Sequence, residues 1–115
     1  MTRTARRTGL ALAAAVALAL AAAVLLREGG REPVRHELAM RAFGFEPAVV
    51  EVHEGDTLVW TNHDIVPHTV TSKEAGWDSG VIPPGASWTL VASGHGSVPF
   101  ACIYHPTMKG TLTVS

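Results

Sequence analysis

Phe100-Ala101-Cys102-Ile103-Tyr104-His105-Pro106-Thr107-Met108-Lys109-Gly110 gathers a thiol, an imidazole and a thioether into one short stretch. Just upstream, Val98 and Phe100 alternate with Ser97 and Pro99, and Cys102 continues the parity of the two apolar residues. The pattern reads as a strand that runs out into a loop, with the sulfur aimed into the top of a core. A soft thiolate, nitrogen donors and a weak thioether suit an ion cycling between Cu(I) and Cu(II), whereas zinc sites rarely use methionine. Taken singly, a Cys beside a Phe is a small buried hydrophobe and a Met is core filler. The regular spacing, two residues between Cys102 and His105 and two between His105 and Met108, makes them a set. The loop lacks a second imidazole, and His68, in Val66-Pro67-His68-Thr69-Val70, is the candidate for it.

The chain from His36 onward has the same grain. Val50 and Val52 share a parity, as do Leu58 and Trp60, His68 and Val70, Trp88 and Leu90, and Leu112 and Val114. Turn signals separate these segments at Glu54-Gly55-Asp56, Pro83-Pro84-Gly85 and Gly94-His95-Gly96. With no sustained helical period, the expectation is an all-β domain over 36–115, a Greek-key β-sandwich or barrel. His68 opens the strand whose next inward residue is Val70. One donor therefore comes from a strand start and three from a strand-end loop, so strand packing sets their positions before any ion binds. These 80 residues make only a modest core, and a bound metal should add to its stability. His36, His53, His63 and His95 fall in turns or at outward parity and are assigned to solvent. Met40, Trp60, Trp77 and Trp88 are assigned to the core or its edge.

The N-terminus is a different kind of sequence. Arg3, Arg6 and Arg7 precede an uncharged run, Leu10 to Leu26, built only of Ala, Leu and Val. Residues 1–26 read as a signal peptide or an N-terminal membrane anchor, a hydrophobic helix in either case, with Ala21-Ala22-Ala23 offering a cleavage site. The run of 17 residues would span about 25 Å as a helix, near the lower limit for crossing a bilayer, so membrane attachment through residues 10–26 is one of the two expectations. Residues 27–35, charged and carrying Gly29-Gly30 and Pro33, read as a linker. Both readings place the rest outside the cytoplasm, in the periplasm or on the outer face of the membrane. Cys102 is the only cysteine, so no internal disulfide can protect it there. Serving as a metal ligand would.

Charge divides at the same boundary. Residues 1–35 hold six Arg against two Glu, whereas 36–115 hold three cationic residues against eight acidic ones, for a net charge of −5. That surface argues against nucleic acid, which needs a basic patch, and is compatible with a basic redox partner.

With these residues in view, the chain resembles the cupredoxins, the small blue copper proteins, and among them the amicyanin and plastocyanin types. The resemblance spans 37–115 and rests on Phe45-Glu46-Pro47, Gly55-Asp56-Thr57-Leu58-Val59-Trp60-Thr61-Asn62, Asp64 through Val70, Trp77-Asp78-Ser79-Gly80, Pro84-Gly85 and the Cys102–Gly110 loop. It implies that His68, Cys102 and His105 are strong equatorial copper ligands and Met108 a long axial one. It also implies a one-electron carrier, a single copper ion and no enzymatic activity. The family commonly has Asn after the first ligand His, where its side chain ties the two ligand loops together; Thr69 stands there instead. Ile103 and Tyr104 replace the Thr-Pro usual in amicyanin. Pro106 has no N–H, so the thiolate receives no hydrogen bond from that position, which favours Cu(I).

In the family the edge of the loop His is the electron port. Transient redox partners are accordingly expected to dock near His105, on a rim of Val66, Pro67, Tyr104, Pro106 and Thr107, by a small interface between monomers. The alternative from another class is an extracytoplasmic copper carrier or chaperone that hands over metal instead of electrons. Such a site is expected to be open and rich in extra Met or His. Multicopper oxidases and nitrite reductases reuse the fold, but their additional centres need domains for which this chain has no room.

Overall fold

The computed structural model describes residues 30–115. The expected export or anchor segment over 1–26, its hydrophobic helix included, and residues 27–29 of the expected linker lie outside the described residues. Nine strands follow: β1 (Arg35–Arg41), β2 (Gly44–Glu46), β3 (Val49–Val52), β4 (Thr57–Asn62), β5 (Thr71–Ser72), β6 (Trp77–Asp78), β7 (Ser87–Val91), β8 (Gly96–Ala101) and β9 (Lys109–Val114). The domain's hydrogen bonding begins within the expected linker. The Val34 amide donates to Asp56 Oδ1 at 2.9 Å, and the Val34 carbonyl accepts from Thr57 N–H.

The strands form two sheets, in the orders β2-β1-β4-β7 and β3-β9-β8-β5-β6. Both are mixed: β1 runs parallel to β4 and β3 parallel to β9, and the other pairs are antiparallel. Alternation dictates which faces meet. Leu38, Met40, Leu58 and Trp60 from one sheet share a buried cluster with Val50, Val52, Phe100, Leu112 and Val114 from the other. The inward parities expected at 50/52, 58/60 and 112/114 are therefore those of the core, and Met40 and Trp60 are completely buried. The strand expected to open at His68 is absent: His68 makes an isolated bridge to Ile82, β5 starts only at Thr71, and Thr69 is as buried as His68 and Val70. Trp60 stacks on Trp88 at 5.8 Å between ring centroids and meets Phe100 edge-on at 5.6 Å, which locks the middle of one sheet to the strand that delivers Cys102. His36 departs from expectation. It is half-buried, with Nε2 2.9 Å from the buried Asp56 carboxylate, whereas His53, His63 and His95 are exposed.

Gly110 is the second residue of β9 and pairs with Phe100 of β8 directly after the loop. A Cβ on it would lie 2.2 Å from Phe100 Cζ and 2.7 Å from the Ala48 carbonyl oxygen. The Phe100 ring occupies the space a side chain would need. Gly110→Ala is expected to destabilise the domain by about 1–3 kcal/mol and to lower its melting temperature by roughly 4–8 °C per kcal/mol. An unchanged thermal midpoint would show that Phe100 has room to turn aside.

Candidate metal centre

The segments that carry the expected donors come close together, His68 lying beside both Cys102 and His105. β8 ends at Ala101, and Cys102 keeps its inward parity with 1% of its surface exposed. The loop that follows is closed by its own backbone: Met108 N–H donates to the His105 carbonyl at 2.8 Å, and Cys102 N–H to the Met108 carbonyl at 3.1 Å. Those two bonds fold His105 and Met108 back beside Cys102. Met108 is buried, and His105 is half-exposed. From the other side His68 arrives on a two-residue bridge to Ile82, with both of its backbone groups bonded and none of its surface exposed.

His68 Nδ1 lies 3.7 Å from Cys102 Sγ, and the rings of His68 and His105 are 5.4 Å apart. A sulfur and a nitrogen sharing one ion, with bonds of about 2.3 and 2.0 Å at a trigonal angle, would be about 3.7 Å apart. This pair fits a common metal as it stands. Among the described residues no group of three His, Cys, Asp or Glu side chains is arranged to hold a metal ion, and His105 is the half-exposed member of the expected set.

The sulfur also accepts the Thr69 amide at 3.4 Å. The Thr69 hydroxyl does what the missing Asn would do: its Oγ1 accepts the Ile103 N–H at 3.0 Å and so ties the His68 segment to the Cys102 loop. Its proton is directed to Thr71 Oγ1 at 2.9 Å, because Thr71 in turn donates to the Asp78 carboxylate at 3.0 Å. Each bond in this chain polarises the next.

Two residues at the site were not legible in the sequence. Asp64 Oδ2 lies 2.7 Å from His68 Nε2, and an ionised carboxylate only accepts, so Nε2 donates in this pair and Nδ1 is the ring nitrogen that faces Cys102. Burial works to raise the Asp64 carboxyl, but bonds from the Phe43 amide, the His68 ring and the Ala42 amide outweigh it and hold the group below the usual carboxylate range. Phe43 stands edge-on to both imidazoles, 5.7 Å from His68 and 5.0 Å from His105. The four-residue step from Asp64 to His68 was visible as a spacing; nothing in the sequence linked Phe43 to the site.

Five residues were expected to form a docking rim around His105. Pro67, Tyr104, Pro106 and Thr107 are exposed, whereas Val66 is half-buried. Phe43, which meets the His105 ring, is an exposed apolar residue that the sequence reading left out.

Comparison with known proteins points the same way as the geometry. A family model described as a cupredoxin-like domain matches residues 10–114. Amicyanin-alpha from Methylorubrum extorquens is 28% identical over 116 residues, covering 91% of this chain and 97% of that protein. A Cu(I) structure of an amicyanin variant superposes with a TM-score of 0.66 at 22% identity, over 70% of this chain and 82% of the other. A purple cupredoxin from Nitrosopumilus maritimus superposes with a TM-score of 0.63 at 26% identity, over 70% of this chain and 99% of that one.

Proposed function

This chain belongs to the cupredoxin-like domain family, and from that premise we propose that it is a one-electron carrier outside the cytoplasm, using a single copper ion held by His68, Cys102, His105 and Met108. The observation that carries the reading is the buried Cys102 Sγ and His68 Nδ1 pair, 3.7 Å apart and held by Thr69 and Asp64. Copper bound there would supply a Cu(I)/Cu(II) couple; everything else is done by the protein.

The protein's part is to resist rearrangement. Cys102, His68 and Met108 are each at most 2% exposed and packed in the core cluster or bonded on both sides, so a change of charge at the site meets donors that cannot move far. His105, half-exposed, is the donor whose ring edge reaches the surface. It is the exit for the electron. The exposed apolar side chains of Phe43, Ile103 and Tyr104 around it suit a small, transient contact with a redox partner and exclude water from the path. The single, buried thiol is suited to an oxidising compartment when it is committed to a metal. Residues 1–26 would deliver the domain there, as a cleaved signal or as a retained anchor.

Adding Cu(II) to the full chain is expected to give an intense visible absorption that ascorbate bleaches and an oxidant restores, at one equivalent of copper. A colourless complex would overturn the electron-carrier reading in favour of metal handover.

A further inference from the structure

The Ala42–Phe43 turn between β1 and β2 is built against its own sequence. Arg41 pairs with Gly44, leaving a two-residue hairpin loop in which Ala42 has φ 52° and Phe43 φ 59°. Positive φ at both central positions is the conformation that Asn-Gly or Asp-Gly adopts at low cost, and a bulky residue there is strained. Such strain persists only where the surroundings impose it, and it collects at functional sites. Here the surroundings are one carboxylate. Asp64 Oδ1 accepts the Ala42 amide at 2.7 Å, and Oδ2 accepts the Phe43 amide at 3.0 Å.

Oδ2 is also the atom that receives His68 Nε2–H. One group thus ties the strained turn to a proposed metal ligand. The result is a Phe43 ring lying across both imidazoles while 54% of Phe43 remains exposed. Burial of the ring accounts for little of this arrangement, and a turn serving only to reverse the chain has no use for an aromatic side chain in the left-handed region.

Resting on the copper reading above, we propose that Asp64 is a positioning residue for His68, and that by pinning the Ala42–Phe43 turn it sets Phe43 as a cap that keeps the ion in the site while leaving electrons free to pass at His105. The anionic acceptor on Nε2–H strengthens Nδ1 as a donor and so favours the more highly charged Cu(II). The ring closes the side of the imidazole pair by which a competing ligand would approach.

Two variants of the full chain test this. Asp64→Asn keeps the shape and one acceptor but removes the charge; Cu(II) affinity is expected to fall about tenfold more than Cu(I) affinity, which raises the reduction potential by about 59 mV. Phe43→Gly relieves the left-handed strain. Its thermal midpoint should stay level or rise, while bicinchoninate, a chromogenic Cu(I) chelator, should withdraw Cu(I) several-fold faster than from the wild-type chain. An Asp64→Asn potential equal to wild type overturns the positioning role. Extraction from Phe43→Gly at the wild-type rate, or faster extraction with a matching loss of fold stability, overturns the cap. Failure of the wild-type chain to take up copper with an intense band would be seen before any substitution, and would remove the copper reading and this proposal together.

Discussion

Cys102→Ser is expected to abolish the intense visible absorption of the copper-loaded chain and to lower its affinity for copper by about 100-fold or more, beyond what is typical for loss of a supporting residue. The absorption arises from charge transfer between thiolate sulfur and Cu(II), and a serine hydroxyl is neither soft nor ionised at neutral pH. The substitution should leave the fold intact. Serine is slightly smaller than cysteine, and its oxygen can take over the Thr69 N–H that now reaches the sulfur at 3.4 Å. The measurements are a copper titration followed by absorption, with chemical denaturation of the metal-free variant as the control. A blue Cys102→Ser complex would mean that the sulfur is not the ligand, and the electron-carrier reading would go with it.

Asn62→Ala is expected to be the most damaging single change to stability, although Asn62 is not among the proposed metal donors. Its side chain is completely buried. Nδ2 donates to the Val66 carbonyl at 2.8 Å and the Ile82 carbonyl at 3.0 Å, and Oδ1 accepts the Asp64 amide at 2.9 Å. This amide organises the segment carrying both Asp64 and His68, and fastens it to the residue that bridges His68. Alanine would leave the Val66 carbonyl and the Asp64 amide without these partners and the Ile82 carbonyl with the His68 amide alone. At about 1–3 kcal/mol for each unsatisfied buried group, partly recovered by relaxation, the loss should be about 3–5 kcal/mol. That lowers the thermal midpoint by about 15 °C or more. Asn62→Asp should not rescue it, because an oxygen would then face two carbonyl oxygens. A loss below about 1 kcal/mol would show that water replaces the amide.

The two substitutions mark the limits of what the linear order of residues reveals. Cys102, His105 and Met108 could be picked out because they lie in one loop, where separation along the chain is nearly separation in space. His68 could be proposed because an apolar alternation was expected to begin there, although the structure holds it by a bridge to Ile82 and not in a strand. The sandwich was legible for the same reason, since burial on one face of a strand leaves a period of two in the sequence. Thr69 shows where matching by residue type falls short. It lacks the amide of the usual Asn, yet its hydroxyl reaches Ile103 N–H across 34 positions of chain.

Pairings between distant segments leave no local trace. The parallel neighbours β1–β4 and β3–β9, the Asp64 carboxylate shared by Ala42, Phe43 and His68, and the Asn62 bonds to Val66 and Ile82 all depend on where strands lie side by side in space. Strand periodicity and the charge contrast between the two ends of the chain are properties of short windows, and the amino-acid order was enough to settle them; the donor set it proposes, Cys102, His105 and Met108 with His68, was legible from the same kind of window. The Asp64 partner of His68, the strained turn that sets Phe43 against both imidazoles and the half-exposure of His105 were settled only by packing. A hydrogen bond or a ring contact responds to distance in space, and the folded domain alone brings residues 20 to 60 positions apart within a few ångströms.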